Sequence, residues 1–367
     1  MRYCLWLLLL LQSAFAGAQN RPYNFSKLTI NNGLSHNQIN SILKDTDGFL
    51  WFGTTSGLNR YDGYSFKIYR KNPDDSTSLS ENNIISLFDL PDGKMWVLTR
   101  GIPCIYNSHT EKFDTNYNEY LNSLKLPSGS VATIAKGYDG RYWFLYYNQY
   151  LYVYSASSKT AQQLKYDKNA AQNAVISSFK ETADGKLWLV YQNGLLQKYD
   201  IKSGELIFSS TVLQQQIKVN TSYGLFIDKE GDLWLWSYIY GTFLFHPQDN
   251  SITRFSESSA PSKLSSNHVS YIIQDDNGLI WVATDHGGVT LIDKKNHFSR
   301  FSPFGHRQCQ SPKTTLAIPP RSHQRLHAAP HAECRHWKFR PQSRPAKRPR
   351  QRRMGHNHRP RRLCLDG

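Results

Sequence analysis

Six tryptophans recur along this chain at a nearly constant interval, and no other feature constrains its fold as strongly. Successive members lie 45 to 47 residues apart, at Trp51, Trp96, Trp143, Trp188, Trp234 and Trp281. A fixed period of this length is typical of proteins built from repeated supersecondary units. The chain is therefore predicted to be a repeat array in which neighbouring units pack on each other.

Each unit also carries a turn signal, a glycine three residues before its tryptophan, preceded by Asp, Glu or Asn. The glycines are Gly48, Gly93, Gly140, Gly185, Gly231 and Gly278. Such pairs accept the positive φ angles of a type I′ turn, so each predicts a tight hairpin between two antiparallel strands.

Alternating segments around these turns predict four strands per unit. In the first unit they are 39–44, 49–54, 58–62 and 66–71. Four short strands in about 45 residues are the content of one β-propeller blade. We therefore predict an all-β fold, a β-propeller of four-stranded blades with six blades within residues 19–304. The tryptophans are expected to fill the space between neighbouring blades, and the alternative is that they stack on sugar rings.

The amino terminus predicts export. A basic Met1-Arg2 start, an apolar run from Cys4 to Leu11 and small residues up to Ala18 indicate a signal peptide over residues 1–18, hence a periplasmic location. No later stretch is apolar enough to predict a membrane span. Cys104 is the single cysteine of the repeat region, so no disulfide is expected to join the blades.

The net charge of +16 resides almost entirely in the last part of the chain. Residues 306–367 contain 16 Lys and Arg against Glu333 and Asp366, which leaves the repeats nearly neutral. A nucleic-acid-binding role for the propeller is therefore not expected. The tail, residues 305–367, is basic and rich in Pro, Arg and His, which predicts disorder. Two explanations remain open for it: a translated frameshift, which we favour, or a functional basic arm.

No catalytic, cofactor or metal motif stands out. The sequence lacks a G-x-S-x-G elbow, an H-E-x-x-H pair and a phosphate-binding glycine loop, so we expect no enzyme and no cofactor. The aspartates near the turns, such as Asp45 and Asp275, could hold calcium, but turn formation explains them better. His36, His268 and His286 are expected to be solvated loop residues.

The detailed repeat adds a family resemblance. Residues 33–39, 45–54 and 57–63 closely resemble the two-component-regulator propeller repeat, and 264–269, 276–284 and 287–289 repeat the pattern. Blade 2 keeps part of it at 79–84, whereas blades 3 and 5 depart from it after their tryptophans. The resemblance covers Tyr23 to about Phe304.

Proteins with this repeat are typically hybrid two-component sensors of Bacteroidetes. The resemblance implies a periplasmic, seven-bladed sensor propeller, here with six blades, whose histidine kinase and output domains are absent from this chain. It further implies an oligosaccharide ligand and a homodimer in the full receptor. An open six-blade array would expose its end faces, including Phe66 and Ile68, and would tend to aggregate.

The places where blades 3 and 5 lose the consensus supply the candidate ligand-binding residues. They are Tyr146, Tyr147, Trp236, Tyr238 and Tyr240, and the alternative for all of them is packing. Aromatic rings suit the C–H faces of sugars. Three functions stay open. We favour an extracytoplasmic sensor domain of a two-component system. The alternatives are a secreted propeller enzyme acting on polysaccharide and a protein-interaction scaffold.

Overall fold

The described part of the chain consists of six four-stranded antiparallel sheets. The computed structural model describes residues 26–166, 174–259, 263–285, 287–294 and 297–301. Within each sheet the strands follow sequence order, so each sheet is one blade. The predicted leader (1–18) and the predicted basic tail (305–367), with the frameshift hypothesis, lie outside the described residues.

The first three blades contain strands β1 to β12. Blade 1 consists of β1 (Ile39–Lys44), β2 (Leu50–Thr54), β3 (Gly57–Tyr61) and β4 (Phe66–Tyr69). Blade 2 consists of β5 (Ile84–Asp89), β6 (Lys94–Thr99), β7 (Cys104–Asn107) and β8 (Lys112–Asp114). Blade 3 consists of β9 (Val131–Lys136), β10 (Arg141–Tyr146), β11 (Leu151–Ser155) and β12 (Thr160–Gln163).

The last three blades contain strands β13 to β24. Blade 4 consists of β13 (Ile176–Glu181), β14 (Lys186–Tyr191), β15 (Leu196–Asp200) and β16 (Leu206–Ser210). Blade 5 consists of β17 (Tyr223–Ile227), β18 (Leu233–Ser237), β19 (Gly241–His246) and β20 (Ser251–Phe255). Blade 6 consists of β21 (Val269–Gln274), β22 (Ile280–Thr284), β23 (Gly288–Asp293) and β24 (His297–Phe301).

Short helices occupy some of the connections. Two α-helices, α1 (Tyr117–Ser123) and α2 (Val212–Gln216), follow blades 2 and 4, and 3-10 turns span Ile30–Asn32 and Pro91–Gly93. The all-β prediction and the predicted six four-stranded blades are confirmed. In blade 1 the predicted bounds of the first strand match the observed ones, and those of the other three strands differ by one or two residues.

All six repeat tryptophans are buried, at most 2% exposed, so they serve as core residues. Five of them pack into the next blade. Trp51 lies with Leu79 and Leu87 of blade 2, for example, and Trp234 lies with Ile272 and Val282 of blade 6. Burying an indole between two sheets removes a large apolar area from water, which explains why every unit retains one. Their use as exposed sugar platforms is therefore wrong.

Blade 6 contacts blade 1, but over a smaller apolar cluster. Ala283 and Tyr271 of blade 6 join a cluster with Ile39, Ile42 and Phe52 of blade 1. Those three blade 1 residues are at most 4% exposed, so the predicted open array with an uncovered first face is wrong. Two residues were expected to be exposed on an open end face. Phe66 is instead half-buried against this cluster, whereas Ile68 is 38% exposed.

The polar contacts at this closure differ from those at two other junctions. In blades 1 and 4 the residue at the β-bulge of the first strand bonds to the next blade: Asn40 donates to the Ile84 carbonyl (2.7 Å), and the Ser177 hydroxyl accepts from the Tyr223 amide (2.6 Å). Ser270 holds the same bulge position in blade 6, yet its buried hydroxyl has no partner among the described residues. Trp281 clusters with Ile273, Val289 and Leu291 of its own blade.

Candidate functional site

The antiparallel order of the strands gives the molecule two distinct faces. One face carries the turns between first and second strands and between third and fourth strands; we term it the turn face. The other face carries the loops between second and third strands and the connections between blades; we term it the loop face. Loops supply most binding residues in propellers and other scaffolds, so the two faces offer two different candidate sites.

On the turn face, aspartate side chains accept hydrogen bonds from the hairpin backbone and from the tryptophan indoles. Asp45 accepts hydrogen bonds from the Phe49 amide (2.9 Å) and the Trp51 indole (2.7 Å). Asp228 and Asp275 make the corresponding indole bonds in blades 5 and 6, at 2.9 and 3.0 Å. The described residues contain no group of side chains suited to a metal ion. Turn formation, the favoured explanation of Asp45 and Asp275, is confirmed.

The type of turn differs from the prediction in four blades. Both turn residues have positive φ, as type I′ requires, only at Asp92-Gly93 (63° and 68°) and Asp139-Gly140 (52° and 71°). In the other blades the glycine alone has positive φ. There the tight turn begins one residue earlier: in blade 1 the Gly48 amide bonds to the Asp45 carbonyl (3.3 Å), whereas in blade 3 the Arg141 amide bonds to the Tyr138 carbonyl (2.9 Å). The residue that opens the turn, an aspartate in three of these four blades, favours this earlier turn because its side chain bonds to nearby backbone groups.

The five predicted ligand-binding residues differ in exposure: two are buried, one is half-buried and two are exposed. Tyr146 is 3% exposed and donates its hydroxyl to the Pro127 carbonyl (2.7 Å). Burial also raises the pKa of Tyr146, as expected for a phenol in a core. Trp236 is 5% exposed and packs edge-on against Tyr271. Tyr240 is half-buried against the core between blades 4 and 5. The buried pair offers no ring surface to a ligand.

Tyr147 and Tyr238 are exposed, by 63% and 39% respectively. Tyr238 is held in a defined orientation: its hydroxyl donates to Asp285 of blade 6 (2.6 Å), and its ring packs edge-on against His268 (5.2 Å between centroids). Asp285 is only 4% exposed. A partly exposed ring fixed by a buried carboxylate loses little further freedom when a ligand stacks on it.

Backbone and side-chain hydrogen bonds join the loops of blades 3 to 5 into one surface. Gln149 of the blade 3 loop accepts from the Ile176 amide (2.8 Å), and the Gln192 amide of the blade 4 loop bonds to the Val175 carbonyl (2.9 Å). The Thr221 amide bonds to the Gln192 carbonyl (2.9 Å). The Thr221 hydroxyl lies 3.1 Å from that of Ser237, next to Tyr238.

Further exposed apolar side chains on this face were not among the sequence candidates. They are Ile102 (60%), Tyr150 (39%), Val175 (38%), Val219 (52%) and Ile239 (50%). Tyr150 and Ile239 lie in the same loops as Tyr147 and Tyr238, so extending the non-consensus segments by a few residues could have found them. Val175 and Val219 lie in connections between blades, where the sequence gives no repeat signal.

The two described histidines lie in loops, as predicted, with His268 exposed and His36 partly exposed. The Nδ1 atom of His36 accepts from the Gln38 amide and lies 2.9 Å from the Thr55 hydroxyl. His268 contacts Tyr238, and its Nδ1 lies 3.2 Å from the Ser266 hydroxyl. Both side chains also help to hold the loops of this face in place. His286 lies outside the described residues.

Comparison with known proteins identifies the repeat. The model of the two-component regulator propeller matches residues 33–56 and 263–286, which lead into blades 1 and 6 and form their first two strands. These two segments match the two-component regulator propeller repeat. A stretch of 63 residues is also 51% identical to Histidine kinase P4 of Formosa agariphila, covering 17% of this chain and 5% of that protein.

Solved structures share the fold of these propeller repeats. The extracellular domain of the hybrid two-component system BT3049 from B. thetaiotaomicron matches 86% of this chain at a TM-score of 0.61 and 21% identity. The extracellular domain of BT4673, from the same organism, matches 77% at a TM-score of 0.54 and 21% identity. The chain spans 42% and 39% of the length of these two domains. Among the described residues, no helix combines the length and hydropathy needed to cross a bilayer.

Proposed function

We propose that this chain is the ligand-sensing, extracytoplasmic part of a two-component sensor, that it is exported by its amino-terminal leader, and that its ligand is an oligosaccharide. The observation that carries this proposal is the presence of regulator propeller repeats in blades 1 and 6 of a fold shared with extracellular sensor domains. The exposed tyrosines of the loop face support a saccharide ligand because tyrosine rings can stack on sugars.

The chain itself is proposed to be non-catalytic. The kinase that would receive the signal belongs to a longer receptor, in which propellers of two copies would face each other. Ligand binding would then bias the arrangement of the two copies, which requires only different affinities for the two states.

A seventh blade is proposed for the full receptor, in which it would take the place of the contact between blades 6 and 1. The buried Ser270 hydroxyl, which has no partner among the described residues, supports it, since the residue at the same bulge position bonds to the next blade in blades 1 and 4. Sequencing the gene again across codons 295–320, with translation in all frames, tests this. A further Asp-Gly-x-x-Trp unit in another frame supports it; an intact frame followed by no such unit overturns it.

The sensing proposal is tested by offering the purified chain a panel of oligosaccharides and measuring both binding and turnover. Binding by titration calorimetry without release of shorter products supports a sensor domain. Release of new reducing ends would instead indicate a polysaccharide enzyme. Capture of a protein partner with no saccharide bound would indicate a scaffold.

A further inference from the structure

The two faces of the propeller differ in charge. Every turn between a first and a second strand contains at least one carboxylate, for example Asp184 in blade 4. The loops between second and third strands of blades 3, 4 and 5 contain no charged residue at all. Their sequences are Tyr-Asn-Gln-Tyr (147–150), Gln-Asn-Gly-Leu (192–195) and Tyr-Ile-Tyr (238–240).

This composition combines aromatic rings with amide groups. Tyrosine and asparagine are adaptable contact residues, because the rings lose little entropy on binding and the amides both donate and accept. Asn148 and Asn193 each accept a backbone amide two residues ahead (3.1 and 3.0 Å) through their side-chain oxygen. Each amide nitrogen then carries two donors suited to hydroxyl groups.

We infer that the uncharged loops of blades 3 to 5 bind a neutral glycan chain, with Tyr147, Tyr150 and Tyr238 as stacking surfaces. The inference rests on the proposed sensing function and names the charge class of the ligand and its location. Rings at both ends of a hydrogen-bonded arc of loops suit an extended ligand that contacts several sugar units in succession.

The absence of ionic groups in these loops argues against an acidic glycan. Uronates and sulfated sugars are bound through Arg and Lys side chains, which pair with carboxylate and sulfate groups. The described connections on either side of these loops contain Lys125, Lys165, Lys218 and Lys263, but none of these lysines belongs to the three loops. A groove of about 430 Å³ between the outer strands of blades 1 and 2 is, by contrast, lined by two basic residues, Arg70 and Lys112, and two acidic ones, Asp75 and Glu111.

Tyr238 is the best single position at which to test the site, because Asp285 and His268 fix its ring. Replacing Tyr238 by Ala removes the ring, whereas Tyr238→Phe keeps the ring and removes only the bond to Asp285. Tyr64→Ala provides the matched control, since Tyr64 is 94% exposed and lies on the turn face. Circular dichroism and thermal melting establish that each variant is folded.

The experiment is titration calorimetry of the whole chain with two sets of hexasaccharides. The neutral set derives from xylan, mannan and mixed-linkage glucan, and the acidic set derives from polygalacturonate and alginate. We expect binding of at least one neutral member, weakened about tenfold by Tyr238→Ala, less by Tyr238→Phe and not by Tyr64→Ala.

Each other outcome has a definite meaning. Preference for an acidic hexasaccharide, or neutral binding that Tyr238→Ala and Tyr147→Ala leave unchanged, overturns the inference while the sensing function stands. Failure of the unaltered chain to bind any saccharide overturns the proposed ligand class itself. If Tyr238→Ala does not fold, Tyr147→Ala decides the question, because the Tyr147 side chain is 63% exposed.

Discussion

A buried indole N–H needs an acceptor, and the tryptophans of this chain meet that need in different ways. Trp51, Trp234 and Trp281 bond to an aspartate six residues earlier in their own blade. Trp96 has Leu90 at that position, and its indole nitrogen has no partner among the described residues. The regular spacing of the tryptophans predicted their burial, but whether an acceptor exists depends on one turn residue in each blade.

Replacing tryptophan by phenylalanine should therefore have unequal effects in blades 1 and 2. Trp51→Phe leaves the Asp45 carboxylate without its indole donor, whereas Trp96→Phe removes a donor that was already unpaired. The two changes delete the same atoms from buried sites. We expect Trp51→Phe to lower the free energy of unfolding by about 1–3 kcal/mol more than Trp96→Phe in urea denaturation. Equal losses would contradict this role of Asp45.

The turn aspartates give a second comparison within a single loop. Asp45→Ala removes the acceptor for both the Phe49 amide and the Trp51 indole, so we expect a loss of about 1–3 kcal/mol. Asp47 is exposed in the same turn, and Asp47→Ala should change stability by less than about 0.5 kcal/mol. Thermal melting of the two variants side by side measures the difference. A calcium site would instead make both changes sensitive to added calcium or chelator.

At the scale of elements, the sequence located the loops of blades 3 and 5 but not the ends of their strands. Tyr146 is the last residue of β10 and Trp236 lies within β18, so both point into packed layers. Exposure begins beyond them, at Tyr147 and Tyr238. Strand ends shift with tertiary packing, which a single sequence does not contain, and a shift of one residue moves a side chain to the other side of the sheet.

Blades 5 and 6 are joined by a lysine that enters a cluster of carboxylates. Lys294 donates to Asp228 and Asp232, both at 2.6 Å, and lies 3.5 Å from Glu230. Burial opposes ionisation of Asp232 and Glu230, but hydrogen bonds and the Lys294 charge lower the pKa of both carboxyls below their ordinary values. The same partners raise the pKa of Lys294 although burial opposes this.

These shifts predict how stability depends on pH. Carboxyls with a lowered folded pKa stabilise the protein above their ordinary values of 3.8 and 4.5, and this contribution is lost as the pH falls through the lower folded pKa. Lys294→Met should remove part of that acid dependence. It should also lower the free energy of unfolding by about 2 kcal/mol at neutral pH, which is less than the loss expected for a fully buried ion pair because Lys294 is partly exposed. Lys186→Met, which removes a partly exposed ion pair with a single carboxylate, Asp200, should cost much less. Urea denaturation between pH 3 and pH 7 gives both quantities, and parallel pH curves for the unaltered chain and Lys294→Met would contradict the prediction.

At the scale of the whole molecule, the repeat period predicted the number and order of the blades. It did not predict that blade 6 would contact blade 1, because a period describes neighbours in sequence and closure joins the two ends. The composition of the loop face also could not be predicted completely, since Val175 and Val219 become neighbours of the loops only through blade packing.

The smaller contact between blades 6 and 1 should be the least protected part of the propeller. We expect amides of β21 and β1 to exchange with deuterium faster than those of β13 and β17, whose junction has the Ser177 bonds to Tyr223. Hydrogen exchange followed by mass spectrometry of peptides from each blade measures this. Uniform protection around the ring would show that the six blades close with equal strength.

Blade 3 lacks an acceptor of its own for Trp143, because Gly137 stands where blades 1, 5 and 6 have aspartate. Glu181 of blade 4 crosses the junction and accepts the indole N–H (2.5 Å) together with Arg141 (2.7 Å). A Cβ atom at position 137 would lie 1.9 Å from that carboxylate. We therefore expect blades 3 and 4 to be inherited as a pair. Recombination that deletes or duplicates one of them would separate Glu181 from Trp143 and Arg141, so viable rearrangements of this gene should begin and end outside both blades.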